Sequence, residues 1–211
     1  MSRQGLLIVV SGPSGAGKGT VCRALLDSCP ELVLSVSKTT REPRTGEQDG
    51  VNYFFVTHEE FQQALSVQDF LEHACVYGQY YGTPRGAVEK MLAAGSDVIL
   101  EIDTQGAMQV MESYAEGIFV FLLPPSGAEL RTRIINRGTE SLESLQRRLA
   151  AAAQEVALAP KYDYIVVNDR VEDARDRIYT IIQAEKLRTG RNKELIQTIT
   201  EEVKKRDLPF H

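Results

Sequence analysis

Short apolar runs alternate with stretches patterned at helical spacing along this chain. Residues 6–10, 32–36, 98–102, 118–123 and 164–167 are compact apolar runs rich in β-branched residues, and read as buried strands. Between them, residues 18–28 read as a helix stopped by Pro30. Residues 141–159 place Leu142, Leu145, Leu149 and Val156 at helical spacing, and residues 171–188 do the same with Ile178, Ile181 and Ile182. A charged helix is expected over 191–206. Strand-helix alternation of this kind predicts an α/β fold, with five core strands in a mainly parallel sheet flanked by helices. Two polar insertions interrupt it, near 37–83 and 126–158. Thr57-His58-Glu59-Glu60 and Ser126-Gly127-Ala128-Glu129 match the capping box. The helix after Ser126 should run to about Arg137 and end at Gly138. Thr83-Pro84 reads as a further helix start, with Pro at the first helical position.

Composition narrows the function classes. A chain of 211 residues with 43% apolar and 25% charged residues is one globular domain, with or without inserted lobes. The net charge of −5 argues against sequence-independent binding to nucleic acid. No apolar run approaches the roughly 20 residues that span a bilayer. The apolar run near residue 6 is too short for a secretory signal, so a cytoplasmic location is expected. Cys22, Cys29 and Cys75 form an odd set without CxxC spacing, which fits a reducing compartment.

The sharpest local signal is Gly12-Pro13-Ser14-Gly15-Ala16-Gly17-Lys18-Gly19-Thr20, placed between the first strand and the first helix. That context suits a phosphate-binding GxxxxGK loop. Its glycines let backbone N–H groups turn inward toward phosphate oxygens, and the helix N-terminus adds its positive end. Lys18 supplies a point charge to the β and γ phosphates. Position 19 is Gly where Ser or Thr usually offers Mg²⁺ a hydroxyl, and a hydroxyl follows only at Thr20. No protein metal ligand is therefore assigned, and Mg²⁺ is expected to ride on the nucleotide and its waters. His58, His73 and His211 form no cluster with metal-ligand spacing and are expected to be structural or exposed.

A second constellation follows. Arg41 and Arg44 stand three apart in a turn-rich stretch, and Tyr53, Tyr80 and Tyr81 come after them. Guanidinium forks match a phosphate dianion and tyrosine hydroxyls can donate to it. The same residues also fit a solvated surface pair and edge-strand aromatics.

The stretch 35–46, Gln79-Tyr80-Tyr81-Gly82 and Glu101-Ile102-Asp103-Thr104-Gln105-Gly106 together resemble guanylate kinases. Leu123-Pro124-Pro125-Ser126, Arg137-Gly138-Thr139-Glu140 and Ile165-Val166-Val167-Asn168-Asp169 extend the resemblance in order from about residue 5 to 188. It implies transfer of the γ-phosphoryl group of ATP to GMP. It also implies a P-loop core (1–36, 84–125 and 159–188), a GMP-binding lobe (37–83), a lid (126–158) and a tail (189–211). By resemblance, Arg41, Arg44, Tyr53 and Tyr81 hold the GMP phosphate, and Ser37, Glu72, Thr83 and Asp103 line the guanine. Arg137 and Arg148 match lid residues that reach the ATP phosphates, and Asn168 matches a residue near the adenine. Lys18, Arg41, Arg137 and Arg148 are thus the expected catalytic cations. Glu101 stands where many relatives have Asp, and Arg170 where a second Asp is common.

The residue types suit that chemistry. Guanine presents two adjacent donors that one carboxylate, such as Glu72, can accept, whereas adenine lacks them. Bland roles stand beside these: Thr83 also suits a cap before Pro84, Asp103 a cap for a helix at 104, and Glu72 a solvated charge. Two other classes compete with the kinase reading. One is an inactive guanylate-kinase-like interaction module, against which Lys18 speaks. The other is a related P-loop kinase with a different acceptor, against which Glu72 with Ser37 and Thr83 speaks.

Overall fold

The computed structural model describes residues 4–76, 78–136 and 142–205. Its centre is a parallel sheet in the order β2-β7-β1-β8-β9. These strands are β1 (Leu7–Ser11), β2 (Leu32–Leu34), β7 (Asp97–Glu101), β8 (Ile118–Leu123) and β9 (Tyr164–Val167). β1 is apolar throughout because it lies mid-sheet with both faces covered. Leu6, Ile8 and Val10 join one core with Val21 and Leu25 of α1 (Lys18–Ser28) and Ile178 and Ile182 of α7 (Val171–Lys186). Leu7 and Val9 join the other core with Val88 and Leu92 of α3 (Arg85–Ala93) and Ala107 and Val110 of α4 (Thr104–Ser113). Burying each such side chain contributes about 1.5–3 kcal/mol, so this strand anchors whatever follows it.

The polar stretch 37–83 contains a second sheet that the sequence pattern does not announce. Its order is β4-β3-β6-β5, from β3 (Lys38–Thr39), β4 (Phe54–Phe55), β5 (Phe70–Val76) and β6 (Gln79–Pro84). Helix α2 (His58–Ser66) begins with the expected capping box, Thr57 accepting from the Glu60 N–H while Glu60 accepts from the Thr57 N–H. Phe61, Ala64 and Phe70 form a small separate core with Val56, Leu65 and Tyr80 around them. Gln109 of α4 ties this sheet to the main one: its side-chain amide donates to the His73 carbonyl at 2.7 Å and accepts from the His73 N–H at 3.1 Å.

Three expectations need correction. The run 164–167 is an edge strand rather than a buried one: Val166 is 2% exposed, but Ile165 is 49% and Val167 37%. It is last in the sheet and α7 covers one face only. Pro84 is not the first helical residue; it ends β6 and serves as the N-cap of α3. Thr83 is registered against Glu72 of β5, so the chain cannot turn into helix before it. The second strand stops at Leu34 rather than 36.

The remaining pieces are α5 (Gly127–Asn136), α6 (Leu142–Val156) and α8 (Lys193–Lys205). Ser126 Oγ accepts the Glu129 N–H at 3.1 Å, as a cap should. The predicted end of that helix at Arg137 and Gly138 lies outside the described residues. α5 and α6 share a third small core of Leu130, Ile134 and Ala152, flanked by Leu145, Leu149 and Val156. Among the described residues no helix is long and apolar enough to cross a membrane.

Candidate active site

The phosphate loop leaves the carboxyl end of β1, where parallel sheets place their ligands. Gly12, Gly15 and Gly17 all take positive φ. Gly17 is the N-cap of α1 at φ 92°, and a β-carbon there would stand 2.4 Å from Asn168 Nδ2. Only glycine satisfies both demands. Lys18 Nζ donates to the Gly12 carbonyl at 2.6 Å, and its 3.4 Å contact with the Pro13 carbonyl is longer. Burial lowers the pKa of its ammonium, against the opposing pull of Glu155, Glu101 and Asp103. Thr20 is exposed in the first turn of α1. Beside it, Glu101 Oε1 lies 3.2 Å from where a Gly19 side chain would start.

Asn168 is buried and its side-chain amide donates to the Ala16 carbonyl at 2.8 Å. In this structure it braces the loop from beneath. Two further residues, neither singled out in the sequence, do related work. Arg133 of α5 directs its guanidinium toward the Asn168 carbonyl at 3.3 Å and the Ala16 carbonyl at 3.5 Å, and pairs with Glu129 at 2.9 Å. Glu155 of α6 accepts the Ser14 N–H at 3.1 Å. Arg148 is half-buried and reaches Ser14 Oγ at 3.5 Å. Helical spacing held the signal: Glu129 and Arg133 are four apart on the side of Leu130 and Ile134, and Arg148, Ala152 and Glu155 share a face of α6. Arg137 lies outside the described residues.

On the second sheet, Arg41 Nη2 holds both carboxylate oxygens of Glu47, at 2.9 and 3.0 Å. Its guanidinium also lies 5.5 Å from the Tyr53 ring centre, and Tyr53 meets Tyr81 edge-on at 5.9 Å. Arg44 gives its backbone N–H to Glu47 at 2.8 Å, while its side chain is exposed. The Arg41 hydrogen bond keeps the Glu47 carboxyl below its ordinary pKa. Arg41, Tyr53 and Tyr81 are thus brought together beside the Glu47 carboxylate, which no motif marks, and Arg44 joins them through its backbone N–H.

Glu72 is 4% exposed and accepts from Thr83 Oγ1 at 2.6 Å. Ser37 Oγ lies 3.5 Å from the same hydroxyl. Thr83 therefore serves Glu72 and caps nothing. Burial raises the Glu72 pKa to about 7, with Thr83 pulling the other way and Asp103 adding to the rise. Asp103 is indeed the N-cap of α4, accepting the Gly106 N–H at 2.8 Å. Gly106 is the space-maker: a β-carbon there would stand 2.2 Å from Glu72 Oε2.

The two halves meet at the end of β7. The charge of Glu101 acts on Lys18 in the loop and on Tyr53 in the second sheet, where burial is the main cause of a raised pKa. Asp103 acts on Lys18 and on Glu72. His58 and His73 are exposed, and among the described residues no group of three or more His, Cys, Asp or Glu could hold a metal.

Comparisons with known proteins point to one family. A family model described as guanylate kinase matches residues 4–185. A guanylate kinase from Clostridium perfringens (strain SM101 / Type A) is 58% identical over 92% of this chain and 89% of its own length. One from Caldanaerobacter subterraneus subsp. tengcongensis is 54% identical over 96% and 98%. The crystal structure of guanylate kinase from Anaplasma phagocytophilum superposes with a TM-score of 0.77 at 37% identity, over 93% of this chain and 95% of that one. With a glycine loop on one side, a buried carboxylate on the other and a family match across nearly all of both, this chain belongs to the guanylate kinase family.

Proposed function

We propose that the chain transfers the γ-phosphoryl group of ATP to GMP, with residues 12–20 holding ATP and the 37–83 lobe holding GMP. The reaction is that of the family: an oxygen of the GMP phosphate attacks the γ phosphorus, the bond from that phosphorus to the β–γ bridging oxygen breaks, and ADP leaves. The acceptor needs no activating base, because its phosphate is largely a dianion above its second pKa of about 6. What opposes the step is repulsion between two anions, so alignment and neutralisation are the protein's tasks. Lys18 serves the ATP phosphates; Arg41 and Arg44, with Tyr53 and Tyr81, serve the GMP phosphate. Arg148, and by resemblance Arg137, belong to the lid (126–158) that closes over both and excludes water. The loop backbone and Asn168 complete the ATP side, with Asn168 acting through Ala16.

Guanylate kinases use Mg²⁺ with ATP, and the residues present fit it in one way. Glu101 offers hard oxygen donors beside Gly19, while no cluster among the described residues could hold the ion alone. Such a donor set suits Mg²⁺ carried mainly by phosphates and water, which Glu101 would help to hold at the loop. When bound, the ion neutralises charge on the phosphates. The free thiols of Cys22, Cys29 and Cys75, together with metabolite substrates, support a cytoplasmic place.

The observation that carries the acceptor is the Glu72 carboxylate, buried with its Thr83 partner in a space cleared by Gly106. It matches the N1–H and amino donors of guanine, with Ser37, Thr83 and Asp103 beside it. A carboxylate left facing adenine would lose those partners. ADP release measured with GMP, dGMP, AMP, UMP and CMP tests this reading. GMP is expected to lead, dGMP to follow, and AMP to trail by about 10⁴-fold in kcat/KM. Comparable rates with AMP would remove the guanine assignment.

A further inference from the structure

The loop that would cradle phosphates already holds an anion, and that anion belongs to the lid. Glu155 stands in the last turn of α6, and its Oε2 accepts the Ser14 N–H at 3.1 Å. Backbone N–H groups of such a loop serve phosphate oxygens, and a carboxylate is the side chain that most resembles one. Ser14 lies four residues before Lys18, whose ammonium reaches the β and γ phosphates. Among the carboxylates that sustain the Lys18 charge, Glu155 ranks first. Burial raises the pKa of its own carboxyl, while the Ser14 amide and Lys18 oppose that shift. An ionised group in this half-buried place is tolerable only while the loop's donors face it. The placement is built into the helix. The same face of α6 sends Arg148 to Ser14 Oγ at 3.5 Å and Ala152 into the core with Leu130 and Ile134.

We infer that Glu155 is a positioning residue that fills the terminal-phosphate place on the loop until ATP arrives, fastens α6 there, and yields to the γ-phosphoryl group. ADP lacks that group, so it leaves the fastening intact. The lid thereby distinguishes donor from product at the atom to be transferred. The inference rests on the reading of residues 12–20 as the ATP site.

Calorimetric binding of ADP and of the β,γ-imido analogue of ATP, to the native enzyme and to Glu155→Gln, tests it. Gln keeps the size and an acceptor oxygen and removes the competing charge. The analogue is expected to bind about fivefold more tightly to the variant, with ADP changed by less than about twofold. A purely structural role would move both nucleotides together, and an unchanged ratio overturns the inference while leaving the ATP site standing. Native crystals soaked with each nucleotide give a readout that needs no variant. The Ser14–Glu155 hydrogen bond should persist with ADP and be broken with the analogue; an intact bond beneath a bound analogue also overturns it. Failure of the native enzyme to bind either nucleotide would remove the ATP-site reading together with the inference.

Discussion

The proposed donor and acceptor halves of this site are built in opposite ways. On the proposed donor side, one run of nine residues from Gly12 to Thr20 supplies the loop, and most of the groups it would offer a phosphate are main-chain N–H. On the proposed acceptor side, Ser37, Arg41, Arg44, Tyr53, Glu72, Tyr81 and Thr83 come from the stretch 37–83 with its four short strands, and the groups offered are side chains. Donors on the backbone bind any suitable polyphosphate. Discrimination between bases needs side chains held at fixed positions, and therefore a scaffold of its own. The second sheet, with its private core of Phe61, Ala64 and Phe70, would be that scaffold under the proposed function.

Perturbing each half separately would sharpen the contrast. The largest effect is expected on the donor side. Lys18→Ala should lower turnover by about 10³-fold, because Lys18 is the cation within the loop itself, held at the Gly12 carbonyl where the β and γ phosphates would sit. Its melting temperature should move by no more than about 4 °C. A variant with near-native turnover would break the donor assignment.

The next effect belongs to the acceptor side alone. Gly106→Ala would favour helix α4 by about 1 kcal/mol on propensity. The new β-carbon would nevertheless meet Glu72 Oε2 at 2.2 Å and push the carboxylate from its place. We expect kcat/KM for GMP to fall about 30-fold with the KM for ATP almost unchanged, since lost hydrogen bonds to a charged group cost about 2 kcal/mol. Equal losses for both substrates would show that the halves are not separable.

The smallest effect is a matter of protons. With its pKa near 7, Glu72 is protonated on the acid side, and a neutral carboxyl cannot accept both guanine donors. The kcat/KM for GMP should therefore fall about fivefold from pH 7 to pH 6 through Glu72, and Glu72→Gln should leave only the shallower limb of the acceptor phosphate, whose second pKa is about 6. Stability runs the other way. A carboxyl whose folded pKa is raised binds more protons folded than unfolded between its ordinary value of 4.5 and about 7. Stability is then lost as pH rises through that window, by at most about 3 kcal/mol. Denaturant melts of the native enzyme and Glu72→Gln at pH 5 and pH 8 would show whether the difference narrows as required.

How much of this was legible in the sequence follows the same division. The central strands and the phosphate loop were plain, because doubly covered strands are uniformly apolar and the loop is contiguous. The second sheet was not, because its key strand buries a Glu among apolar neighbours and so does not read as a strand. Thr83 and Asp103 were each open to a capping role; the structure gives the cap to Asp103 and gives Thr83 to Glu72. Glu47 carries no mark in the sequence although it lies six residues from Arg41, since nothing in their spacing says that a turn will fold one onto the other. Arg133 and Glu155 follow helical periodicity but meet the loop only across more than a hundred residues of chain.

The fit between Gly17 and Asn168 restricts the routes by which this sequence can drift. The amide fills the space a methyl would need, and the loop adopts a turn that a methyl would resist. Exchanging either partner first leads through an intermediate with a collapsed cradle or an unbraced one. Both positions are thus frozen by each other's shape, and that would hold even if Asn168 never touched a nucleotide.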